Sequence, residues 1–93
     1  MKIARRNDLS LRLLEVFGTL MVSQTTVAAA VELGISQPSV SLAIKQLEKQ
    51  LGFDLFAREK KRMEPTSEAL SLFQEIEPLF EQLRSVESRA RDL

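Results

Sequence analysis

Apolar side chains recur at helical spacing in four stretches of this chain, with short polar breaks between them. In the first, Leu9, Leu13, Val16, Phe17 and Leu20 share one face, which predicts a helix over about 9–22 capped by Asn7 or Asp8. The hydroxyls of Ser23-Gln24-Thr25-Thr26 then precede a short Ala-rich helix over 27–33, closed by Gly34 in the left-handed conformation that glycine tolerates. Ile35 occupies the turn, Ser36 caps a third helix, and Pro38 sits in its first turn, where a missing N–H breaks no bond. This helix runs to about Gln50. Within it Val40, Ile44, Leu47 and Leu51 lie within about 60° of one another and form the buried stripe. The opposite side carries Pro38, Leu42, Lys45 and Lys49, flanked by Ser41 and Gln46, a polar and basic surface that faces either solvent or a ligand.

Gly52 ends the third helix, and Phe53 to Arg58 and Arg62 to Thr66 read as two short extended segments around the charged tip Glu59-Lys60-Lys61. That is a small β-hairpin whose tip lacks the Gly or Asn of a tight two-residue turn. From Thr66, an N-cap, the residues Ala69, Leu72, Ile76, Leu79, Leu83, Val86, Ala90 and Leu93 step alternately by three and four. This is an a/d heptad seam of the kind that pairs two helices. Leu70, Phe73 and Phe80 make a shorter stripe turned back toward the preceding domain, and Pro78 predicts a bend unless a partner helix accommodates it. The division is therefore 1–65 for a globular unit and 66–93 for a long helix. Because the heptad pattern stops mid-repeat at Leu93, the chain is expected to be part of a longer one.

Composition narrows the chemistry. Ninety-three residues make one small domain, too short for the enclosed cleft of a large enzyme, and 44% hydrophobic with 28% charged residues marks it as globular. With neither Cys nor His, thiolate, imidazole and zinc chemistry are excluded. Glu75, Glu77 and Glu81 form an outward charge run that nothing orients for catalysis. No catalytic residue, metal or cofactor is expected, and the chain is not read as an enzyme. The 13 basic and 13 acidic residues cancel, yet residues 1–62 hold ten basic against six acidic and residues 63–93 hold three against seven. A basic working module is thus joined to an acidic appendage. No apolar run approaches a membrane span and no apolar segment follows Lys2, Arg5 and Arg6, so the expected location is the cytoplasm, without a membrane partner.

A short helix, a turn at Gly34-Ile35-Ser36 and a longer helix with a polar, basic outer face make the arrangement of a helix-turn-helix, with Ala30 small where the two helices cross. The hairpin after it is the wing. The run Ala28-Ala29-Ala30, then Ile35-Ser36-Gln37-Pro38-Ser39-Val40-Ser41, Ile44-Lys45-Gln46-Leu47-Glu48, Leu51-Gly52, Leu55-Phe56-Ala57-Arg58 and Pro65-Thr66 resembles the N-terminal DNA-binding domain of LysR-type transcriptional regulators over nearly the whole chain. The resemblance implies a mainly α, winged helix-turn-helix fold and a long C-terminal linker helix that joins two subunits. It implies a bacterial regulator that binds double-stranded DNA at an imperfect inverted repeat, and an effector-binding domain that lies outside these residues. Four positions depart from the family's habit: Gln24 where Gly is usual, Val27 where a small polar residue is common, Lys61 where the wing often has Gly, and Ala69 where Gly often follows the wing threonine. These bear on loop geometry rather than on the fold.

On that reading the recognition helix, about 37–50, enters a major groove and the wing, about 53–65, meets backbone or minor groove. Gln37 suits an adenine edge, Pro38 and Leu42 a thymine methyl, Ser41 a base edge or phosphate, and Lys45 guanine or phosphate. Ser36, Ser39, Lys49, Arg58, Lys60, Lys61 and Arg62 are assigned to the DNA backbone, with amides at the helix start as a further phosphate site. Leu72, Ile76, Leu79, Leu83, Val86 and Ala90 are assigned to the dimer interface. Each polar assignment has a plainer rival: capping for the serines and Gln37, a solvated face for the lysines, and for Arg58 stacking on Phe56 or pairing with Glu48. The rival function is a protein-docking module, which an apolar patch on the third helix would favour; Leu42 is the one apolar candidate there.

Overall fold

The computed structural model describes residues 9–57 and 63–93, and in them the four expected helices form. Helix α1 spans Leu11–Ser23, α2 Thr26–Leu33, α3 Gln37–Leu51 and α4 Ser67–Arg91. Each begins at a hydroxyl residue. Ser10 accepts from the amides of Arg12 and Leu13, Thr25 from Ala28, Ser36 from Ser39 and Thr66 from Ala69, so every helix has one or more otherwise unpaired N–H groups satisfied by its own cap. The cap of α1 is thus Ser10 rather than Asn7 or Asp8, which lie outside the described residues, and the helix starts two residues later than its pattern predicts. All three residue types cap by the same chemistry, and spacing alone cannot choose among neighbours.

Gly34 and Gly52 close α2 and α3 at φ 67° and 85° as expected. Gln24 closes α1 at φ 70°, where a Cβ is strained by about 1–2 kcal/mol. The departure from Gly at this position therefore has a structural consequence, and Gln24→Gly is expected to stabilise the domain by about 0.5–1 kcal/mol after the added entropy of the unfolded chain is subtracted. A melting temperature raised by a few degrees would bear this out; a lower one would show that the Gln24 side chain contributes more than its backbone loses.

The core is built at the crossing of α1, α2 and α3. Phe17, Leu20, Val40 and Leu47 are almost wholly buried, and Ala29 and Ala30 allow α2 to lie close to its neighbours. Leu55 and Phe56 enter from the segment after α3, where the Phe56 ring meets Phe17 at 6.1 Å between centroids with a 57° tilt. This segment is where a β-hairpin was expected. Among the described residues there is no strand: its arms are joined by one isolated antiparallel bridge, Phe56 to Pro65, with Ala57 N donating to Glu64 O at 2.8 Å and Thr66 N to Leu55 O at 2.9 Å. Among the described residues these two backbone bonds hold the base of the arms, and the tip, with Arg58, Lys60, Lys61 and Arg62, lies outside them.

The heptad seam of α4 divides. Ala69 and Ile76 are buried in the domain's own core, with Leu72, Phe73 and Phe80 partly covered beside them. Ile76 faces α1 at Gly18, where an added Cβ would stand 3.4 Å from Cδ1. Ile76 is therefore a core residue, which corrects its assignment to the dimer seam, and Leu70 of the shorter stripe is half exposed rather than packed inward. Every residue from 81 to 93 is exposed, and the helix continues unbroken through Pro78. Apolar spacing alone does not distinguish a face covered by α1 from the continuation of the same face beyond the domain's edge.

Candidate nucleic-acid interface

Between α2 and α3 the chain turns by 100°, inside the range of helix-turn-helix pairs. The turn is fixed by Gly34 in the left-handed region, by the Ile35 amide donating to Ala30 O at 3.0 Å, and by Ser36 capping the next helix. With Val40, Ile44 and Leu47 held in the core, the opposite side of α3 must face outward. Its outer residues form two neighbouring rows at helical spacing: Gln37, Ser41, Lys45 and Lys49 in one, Pro38, Leu42 and Gln46 in the other. All seven are exposed. Leu42, at 59% exposure, is the apolar member of a face otherwise made of amides, a hydroxyl, a proline and two ammonium groups.

The start of α3 is more committed than its sequence suggests. Ser36 Oγ accepts from Ser39 N at 3.2 Å and lies 2.8 Å from Ser39 Oγ, while Pro38 has no N–H to offer. Among the described residues only the Gln37 amide of this first turn has no acceptor, so the expected set of phosphate-binding amides shrinks to one, with the two hydroxyls beside it. At the other end Lys49 sits in the last turn, where the helix dipole already favours a cation. Its charge therefore has a structural role as well as any contact with a ligand.

What sequence reasoning missed is the place of Glu48, named there only within the family motif and as a rival partner for Arg58. Glu48 is a carboxylate 7% exposed at the end of α3, and its Oε2 accepts the Leu55 amide at 2.7 Å. No periodicity signals this, since the partner is a loop amide seven residues on. Among the described residues no cluster of side chains is arranged to hold a metal, and no single helix is long and apolar enough to cross a membrane. An open groove of about 340 Å³ between α1, α2 and α4 is lined by Gly18, Val22, Phe73 and Phe80 with Glu15, Glu32, Glu77 and Glu81, and includes no residue of α3.

Residues 11–70 match the family described as bacterial regulatory helix-turn-helix protein, lysR family. The chain belongs to the LysR family. It is 42% identical over 83 residues, 89% of its length, to the transcriptional regulator DgcR of a Pseudoalteromonas species, of which it spans 28%. It is similar to the BenM DBD in a complex with catB site 1 DNA, with a TM-score of 0.82 at 28% identity, covering 90% of this chain and 93% of that one. Oxidized OxyR of Corynebacterium glutamicum matches with a TM-score of 0.83 at 29% identity over 92% of this chain and 28% of its own. LysR-family relatives of this kind are named as transcriptional regulators, not as enzymes, and the chain spans under a third of the curated regulators it matches.

Proposed function

We propose that this chain binds double-stranded DNA in a sequence-specific way, as the paired DNA-binding arm of a bacterial LysR-type regulator acting in the cytoplasm at the nucleoid. The observation that carries the proposal is the exposed double row on α3 set at 100° to α2. A helix with side chains is about 10–12 Å across and the major groove about 12 Å wide, so this face fits the groove that displays base edges. Gln37, Pro38, Ser41, Leu42 and Lys45 read bases; Ser36, Ser39 and Lys49, with the basic tip Arg58, Lys60, Lys61 and Arg62, hold the backbone.

The zero net charge does not oppose this. The acidic surplus belongs to α4, and the α3 face carries Lys45 and Lys49 with no carboxylate in either outer row. Two copies pair along the exposed half of α4 through Leu79, Leu83, Val86 and Ala90, with Leu72 at the covered end of the seam. They present two recognition helices to the half-sites of an imperfect inverted repeat. The unit that reads DNA is 1–65 and the unit that pairs is 66–93, and an effector would act through a domain outside these residues.

The test is equilibrium binding to a family of inverted repeats and to scrambled duplex at several salt concentrations. Preference for one repeat with a log–log salt slope of about −5 or steeper is the expected result, and absence of binding at low salt would defeat the proposal. In the same assay Gln37→Ala is expected to relax preference at one base pair per half-site by about 1–3 kcal/mol while leaving the salt slope unchanged. A slope reduced by one without loss of preference would move Gln37 to the backbone set.

A further inference from the structure

Glu48 lies in the last turn of α3 between the core residues Ile44 and Leu47 and the outer row that ends in Lys49. Its carboxylate takes the Leu55 amide at 2.7 Å, a short, charge-assisted bond in a buried setting. Leu55 is itself fully buried, and its carbonyl is held from the other side by Thr66 N at 2.9 Å, while the Thr66 hydroxyl donates to the preceding carbonyl, Asp54 O, at 2.8 Å. Thr66 is in turn the cap of α4, through Ala69 N at 3.2 Å. One peptide residue is thus gripped by the end of the recognition helix through its N–H and by the start of the pairing helix through its C=O. Among the helices, α4 otherwise packs only on α1.

Resting on the reading of α3 as the DNA-reading helix and α4 as the pairing helix, we propose that Glu48 is a positioning residue that fixes the angle between the two. It thereby sets the half-site spacing that the dimer accepts. Glu48 touches no base in this scheme. Its carboxylate fixes where α3 stands relative to α4, and a dimer built on α4 converts that angle into a distance between two recognition helices. With the Glu48 to Leu55 bond weakened, each α3 still reads its own half-site, but the pair tolerates repeats that are a base pair too long or too short.

The experiment uses this chain with duplexes in which the two half-sites are separated by spacers of graded length, beside a single half-site. Glu48→Gln keeps the shape and an acceptor oxygen but removes the charge, and Glu48→Leu removes the acceptor. Wild type is expected to favour one spacing. Glu48→Gln is expected to lower that preference several-fold and Glu48→Leu to lower it more, each with half-site affinity within about threefold of wild type. In Glu48→Gln the Leu55 amide is also expected to exchange with solvent about tenfold faster than in wild type, while core amides of α1 are unchanged. If Glu48→Leu does not fold, the Gln variant decides alone. Unaltered spacing preference in Glu48→Gln overturns the proposal, as does an equal loss on half-site and paired site, which marks a merely structural role. Wild type that binds no duplex defeats the functional reading itself, an outcome separate from either.

Discussion

Replacing Leu79 and Leu83 together with aspartate is expected to leave a folded monomer that binds a single half-site almost as well as wild type and a paired site about 100-fold more weakly or worse. The two leucines are 44% and 37% exposed, Val86 beside them is 46% exposed, and every residue from 81 to 93 is exposed. In the monomer the aspartates therefore enter water, and the melting temperature of the domain should move little. In a paired seam the same four carboxylates would face one another across a dry interface, where like charges at close range cost several kcal/mol. Loss of pairing turns the second half-site contact from an intramolecular event, at an effective concentration of the order of millimolar, into an independent one. Sedimentation together with half-site and full-site titrations checks this; a variant that still sediments as a dimer would place the interface elsewhere.

How far the sequence alone reaches is visible in α4. Its heptad steps predicted one continuous seam, and the spacing is real, but an apolar face at helical spacing looks the same whether its cover is α1 or a second copy. Ala69 and Ile76 proved to be core, while Leu79, Leu83 and Val86 stand exposed. Local signals read better. Ser36, Thr66, Gly34 and Gly52 each act within a few residues of their position, and each caps the helix it was expected to cap. The outer face of α3 followed from the inner one, because four buried positions on a helix leave their opposites nowhere else to go. What stayed hidden was non-local. Glu48 read as a possible partner for Arg58, and nothing in the sequence marked the Leu55 amide that it accepts.

The Phe17 and Phe56 contact is the other long-range link that spacing did not reveal, and Phe17→Ala is expected to be among the most damaging single substitutions in the domain. Phe17 has no exposed surface, sits midway along α1 and meets Phe56, the residue that bridges to Pro65. Removing the ring forfeits its burial, leaves a cavity that three helices cannot easily close, and strips Phe56 of its aromatic partner, for a loss of about 3–5 kcal/mol. In a domain of this size that corresponds to a melting temperature lower by about 12 °C or more. The loss should be felt at the interface as well as in stability, because Phe56 follows the Leu55 peptide that joins α3 to α4. Phe17→Leu, which keeps an apolar side chain of lesser volume, should recover more than half of the loss. Thermal unfolding of the three proteins, followed by half-site binding well below each midpoint, separates the two effects. A Phe17→Ala protein that melts within a few degrees of wild type would mean that the core closes around the gap and that the ring contributes little beyond volume.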